Sequence, residues 1–250
     1  MLKLFISSLV LSVSLLAGEI SIAVAANMTD AIEVLKGEFA KTNPNTKINT
    51  VLGSSGKLTA QMKNGAPFDL FFSADMKFPE ALYAEKLAVT KPVVYASGAL
   101  AMMSVKGLDL SKGLSILTDA KVGKVAIANP KTAPYGTATV EAFKNAKVYD
   151  AIESKLVFGE SISQTVQFAT TAADVGFVNK SAFYSDKMKA YKEGKEWVSV
   201  DPKLYTPIAQ GVVVLKQAQN NAEAKAFYDF VLTNAKAKAI LKDFGYIVND

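Results

Sequence analysis

Residues 47–75 read KINTVLGSSGKLTAQMKNGAPFDLFFSAD, and their reading decides the fold. KINTVL has the composition of a short strand, GSSG is a loop of small residues, and a helix is expected near Leu58–Lys63. GAP then turns the chain, and FDLFFSAD is apolar enough to form a buried strand. Strand, loop, helix and strand in this order indicate a parallel sheet wrapped by helices, because two parallel strands need a long crossover.

The pattern extends in both directions. Upstream, EISIAVAAN is apolar, and Met28, Ile32, Leu35 and Phe39 then recur at helical spacing. Downstream, a second series begins with the strand KVAIAN, the loop PKTAPYG and a helix over residues 137–145. The strand KLVFG, the loop ESIS, a helix over residues 163–170 and the strand ADVGFVN complete it. YTPIAQGVVVLK is strongly apolar, and the last helices carry Phe227, Phe230 and Val231 on one face. The expectation is an α/β protein of two lobes of similar size. No low-complexity linker separates them, so strands should cross between the lobes.

Ligands of such sheets sit outside the carboxyl ends of the strands, at helix N-termini. Four loops reach that position: residues 25–27 and 53–56 from one lobe, and 130–136 and 160–163 from the other. Their only charged residues are Lys131 and Glu160. A cleft lined by N–H groups and hydroxyls suits a small anion that only accepts hydrogen bonds. GSSGK is not a nucleotide loop. The pattern G-x-x-x-x-G-K-[ST] would need glycine at Val51 and a hydroxyl residue at Leu58. Taken alone, the stretch reads as a plain turn.

Composition narrows the chemistry. The 250 residues contain neither cysteine nor histidine, and all 28 basic residues are lysines. Disulfides, thiol catalysis, His-based triads and Cys- or His-ligated metals are excluded. No guanidinium fork can hold an anion. The net charge of +5 is modest, and the lysines alternate with acids, as in DKMKAYKEGKE, so nucleic acid is not an expected partner. Lys3, the apolar run Leu4–Leu16 and the small residues Ala17 and Gly18 resemble a secretory signal over residues 1–18. The run is short for a membrane span.

The segments AVAANMTDAIEVLKGEF, GSSGKLTAQMKNGAPFDLFFSAD, AIANPKTAPYG, ADVGFV and AKAFYDFVLTNAKAKAILKDFGYIV resemble the periplasmic molybdate-binding proteins of ABC transporters, the ModA family. The resemblance spans roughly Glu19 to Val248. It implies the type II periplasmic binding protein fold, with the ligand in the interlobe cleft. The first lobe would comprise residues 19–97, completed by 206–250, and the second residues 98–205. It also implies a monomer that carries molybdate or tungstate to a membrane permease, without cofactor, with the anion held through its oxygens and no protein–metal bond.

Carried over position by position, the resemblance points to five residues. Asn27, preceded by Ala26, takes the first contact, where many members have serine, and its amide can donate in place of the hydroxyl. Ser55 would give its hydroxyl and N–H, and Tyr135 and Ile162 their N–H groups. Asn179 stands where some members use a tyrosine, which leaves that contact open, and the Tyr135 hydroxyl is an alternative donor. Lys57 should add only a distant field. Each residue also has a plain structural role: Asn27 as a helix cap, Ile162 as core, Pro134 as a loop former, Asp75 as the cap of the next helix. The alternatives are another oxyanion such as sulfate, or a periplasmic enzyme in the same cleft. Protonated phosphate would need an acceptor, and only Glu160 is near. An enzyme would need a base or nucleophile, and the loops offer none.

Overall fold

The computed structural model describes residues 18–248, so the expected signal over residues 1–18 lies outside it except for Gly18. β1 (Gly18–Ala25), β2 (Thr46–Gly53) and β3 (Leu70–Phe72) are joined by α1 (Thr29–Ala40) and α2 (Ser55–Lys63). α3 (Lys77–Ala84) leads to β4 (Val93–Gly98), β5 (Leu100–Met103) and β6 (Val125–Ala128). α4 (Pro134–Asn145), α5 (Tyr149–Ile152), β7 (Leu156–Gly159), α6 (Ile162–Thr171) and β8 (Val175–Asn179) follow. β9 (Trp197–Ser199), β10 (Ile208–Val214), α7 (Ala222–Thr233) and α8 (Ala235–Asp243) complete the chain.

The strands form two five-stranded sheets, ordered β2-β1-β3-β10-β4 and β7-β6-β8-β5-β9. Each has three parallel strands at one side, with β1 or β6 between its two partners. In each, the fourth strand is antiparallel and comes from beyond a crossing. The parallel, helix-wrapped sheet expected from residues 47–75 and the second lobe expected from the later series are therefore both present. The chain passes between sheets directly, from Gly98 to Leu100 and again between β9 and β10.

The first sheet is closed by helices whose apolar faces meet on it. Ile32, Leu35 and Phe39 of α1 are buried, and Phe39 meets Phe227 of α7 edge-on at 5.1 Å. The C-terminal helices thus pack on the first sheet. Across the second sheet, Phe143 of α4 meets Phe177 of β8 edge-on at 4.7 Å. Such pairs add about 0.5–1.5 kcal/mol beyond their burial. Ala25, Ala26 and Ala74 of the first lobe join the hydrophobic cluster of the second, so the core continues through the cleft.

One boundary differs from the sequence reading. α4 begins at Pro134, three residues before the expected start, so Pro134, Tyr135 and Gly136 are helical rather than loop. Proline is at home in a first turn, where its missing N–H costs nothing.

Candidate functional site

Four helix starts converge between the lobes. The 3-10 turn Ala26–Met28 leads from β1 into α1, α2 starts at Ser55, α4 at Pro134 and α6 at Ile162. The first N–H groups of a helix have no intrahelical partner and carry the positive end of its dipole. Ala26, Asn27, Ser55, Tyr135 and Ile162 all line one small interlobe pocket, which is also walled by Ser54, Ala74, Ala133 and Pro134. No lining residue is charged.

The hydroxyls are arranged as donors. Ser55 is fully buried, and its Oγ accepts the N–H of Ala74 at 3.0 Å, which leaves its proton to donate elsewhere. Ser54 occupies the cap position of α2 but caps nothing, and its buried Oγ has no partner. A serine there normally bonds to the helix N–H groups; here the hydroxyl is left at the pocket wall. Sequence reasoning passed over Ser54 in favour of its neighbour. Ser161, by contrast, caps α6 by accepting the Gln164 N–H.

Asn27 is held differently from the expectation of a donating amide. Its Nδ2 donates to Gln210 Oε1 at 2.9 Å and to Tyr246 Oη at 3.0 Å, so both amide protons are engaged. Nor does its side chain cap a helix. Its main-chain carbonyl accepts from Tyr246 Oη at 2.8 Å and from Asn179 Nδ2 at 3.3 Å. Asn179 is thus an anchor of the first loop and does not line the pocket. The Tyr135 phenol points away to Gln210 Nε2 at 3.4 Å, so this residue can serve the pocket only from its main chain. Gln210 and Tyr246 were missed in the sequence. The one available signal was a lone amide inside the apolar strand IAQGVVV.

The lobes are closed on one another around the pocket. The N–H of Gly56 donates to the carbonyl of Thr132 at 2.9 Å, and Ser163 Oγ donates to the carbonyl of Ala26 at 3.0 Å. Lys57 pairs with Glu160 across the mouth, a contact not foreseen from sequence. Both side chains are solvent-exposed, at 49% and 70%, and such pairs contribute at most about 1 kcal/mol. Lys57→Ala should therefore weaken ligand binding by less than about fivefold at low salt, and by nothing measurable at high salt. Titration at two ionic strengths checks this.

Burial sets the protonation of the site. It holds the Tyr95 and Tyr135 phenols well above their usual range and pushes Tyr246 up to about 12, despite the hydrogen bonds from Ser181 and Asn27. Asp75, in the adjoining groove, is raised by burial and accepts the N–H of Phe78 at the start of α3, the capping role expected of it. Among the described residues no cluster of carboxylates could hold a metal ion.

Two lobes closing on a small, uncharged pocket define a receptor that encloses a solute, a solute-binding protein. Residues 20–247 match the bacterial extracellular solute-binding protein family. The molybdate-binding protein ModA of Rhodobacter capsulatus is 39% identical over 234 residues, covering 92% of this chain and 89% of its own. ModA of Azotobacter vinelandii is 37% identical over 233 residues, with 92% and 90% covered. The solved periplasmic molybdate-binding protein of Azotobacter vinelandii superposes with a TM-score of 0.85 at 31% identity, covering 92% of this chain and all of that one. The chain belongs to the bacterial extracellular solute-binding proteins and, within them, to the ModA family. It is a binding protein rather than an enzyme.

Proposed function

We propose that the protein binds molybdate, and also tungstate, in the periplasm, and hands it as a monomer to the membrane permease of an ABC transporter. Residues 19–97 with 206–250 form one jaw and 98–205 the other, reached after export on the signal over residues 1–18. The observation that carries this reading is the pocket itself: four helix starts and two serine hydroxyls, with no charged side chain on its wall. A fully ionised tetrahedral oxyanion accepts hydrogen bonds on every side and donates none. Hydrogen bonds to a charged group contribute roughly 1.5–3 kcal/mol each, and several together offset the desolvation of a buried dianion. Ser55 acts through hydroxyl and N–H, and Ala26, Asn27, Tyr135 and Ile162 through main-chain N–H groups. The names of the relatives support molybdate as the anion.

Calorimetric titration with molybdate, tungstate, sulfate and phosphate tests the reading. Tight binding of the first two and weak binding of the others is expected. Absent molybdate heat, or equal affinity for sulfate, would overturn it. The same titration should be flat between pH 6 and pH 8. The raised phenols keep their protons throughout that range, so no donor at the site is lost. A steep change there, with the anion itself still unprotonated, would reveal a titrating group at the pocket.

A further inference from the structure

One polar side chain stands inside β10. Gln210 is fully buried, at the point where β10 slips register against β4. It does not line the pocket, yet its amide reaches two residues that do. Oε1 accepts from Asn27 Nδ2 at 2.9 Å and from the Tyr95 phenol at 2.8 Å, while Nε2 donates to the Tyr135 phenol at 3.4 Å. Asn27 belongs to the first lobe and Tyr135 to α4 in the second.

Two further observations bear on this junction. The Tyr135 phenol sits at the crossing between the sheets: a Cβ added to Gly98 would lie 2.0 Å from its oxygen and 2.6 Å from Gln210 Nε2. The close approach requires glycine there. In addition, Asn27 Oδ1 is buried without a partner, while Gln210 and Tyr246 take both protons of the same amide. A buried acceptor left unpaired costs free energy, so the Asn27 amide is held in this orientation by its partners rather than by its own preference.

Resting on the oxyanion reading above, we infer that Gln210 is a positioning residue of the binding site. Its amide fixes Asn27 from one lobe and receives the Tyr135 phenol from the other. The main-chain donors of both residues are in place only when the lobes are shut on Gln210. Opening the cleft separates Tyr135 from Gln210 and loosens the second lobe's donor. Gln210 therefore acts on how long the anion is kept more than on how fast it enters.

The test is a double-mutant cycle on molybdate binding and release with the full mature chain. Gln210→Leu should raise Kd by about tenfold or more, chiefly through faster dissociation. Tyr135→Phe should raise it less, and the double variant should lie within about twofold of Gln210→Leu alone, because both remove one shared contact. Additive losses, or an unchanged Kd in Gln210→Leu, would overturn the inference. Gln210→Glu decides the matter if Gln210→Leu fails to fold, since it keeps the shape and the acceptor oxygen. The titratable groups facing position 210 are Tyr95 on β4, Tyr135 on α4 and, through Asn27, Tyr246, and burial keeps all three protonated. The new carboxyl should then make molybdate affinity fall with rising pH, by at most about tenfold per unit, where the wild type is flat. A Gln210→Glu profile identical to wild type would count against the inference. If wild type itself binds no molybdate, the parent reading fails and this one with it. If wild type binds and the Gln210 variants match it, only this one fails.

Discussion

Ser55→Ala is expected to weaken molybdate binding by about tenfold to a hundredfold, the cost of roughly 1.5–3 kcal/mol for a lost bond to a charged group. Two losses combine. The anion loses a hydroxyl donor, and the buried N–H of Ala74 loses the oxygen it donates to at 3.0 Å. The main-chain N–H of residue 55 remains, so binding is reduced rather than abolished. Calorimetry beside Lys57→Ala separates the two ways of holding an anion. With neutral donors in control, Ser55→Ala is the more damaging by at least several-fold. If Lys57→Ala proves the worse and Ser55→Ala is silent, charge holds the anion.

Gly56→Val should have the largest effect. A Cβ at position 56 would lie 3.0 Å from the Thr132 Cα and 3.0 Å from the ring of Phe78, and the Gly56 N–H bonds to the Thr132 carbonyl across the cleft. A branched side chain would force the two loops apart and break that bond. Overpacking at about 1–3 kcal/mol and a lost hydrogen bond at about 1 kcal/mol give about 2–4 kcal/mol against the closed form, a thirtyfold or greater loss of affinity. Opening the cleft relieves the contact with Thr132, whereas the Phe78 ring, in the same lobe as Gly56, must shift in either form. Small-angle scattering should show the molybdate-loaded variant with a larger radius of gyration than loaded wild type. Equal radii and equal affinity would show that closure tolerates the side chain. This accounts for the glycine after the two serines: in GSSGK it permits contact between jaws, not with a nucleotide.

The fold was legible because its cues are local. The strands of residues 47–75 and the helical spacing of Ile32, Leu35 and Phe39 each lie within a few turns of chain, and each recurs in the structure. The pocket loops followed from the rule that places ligands at strand ends, and all five expected residues line one pocket. What lay beyond the sequence is long-range. Gln210 meets Asn27 across 183 residues and Tyr135 across 75, and Lys57 meets Glu160 across 103. No spacing rule connects such pairs. The role of the Asn27 amide was misread for the same reason: its donors looked free until Gln210 and Tyr246 were in place. The start of α4 was set too late because Pro134 was taken for a loop former, and a proline at the first helical position reads the same in sequence.

The central claim is that four helix starts and the serine hydroxyls of GSSG enclose a bare tetrahedral oxyanion. Crystals grown with molybdate, with diffraction measured at the molybdenum absorption edge, test it most directly. The account predicts one strong anomalous peak in the interlobe pocket, its oxygens within hydrogen-bonding reach of the Ser55 hydroxyl and of the N–H groups of Asn27, Tyr135 and Ile162. A peak elsewhere on the protein, or an anion contacted by lysine side chains in place of these donors, would contradict it.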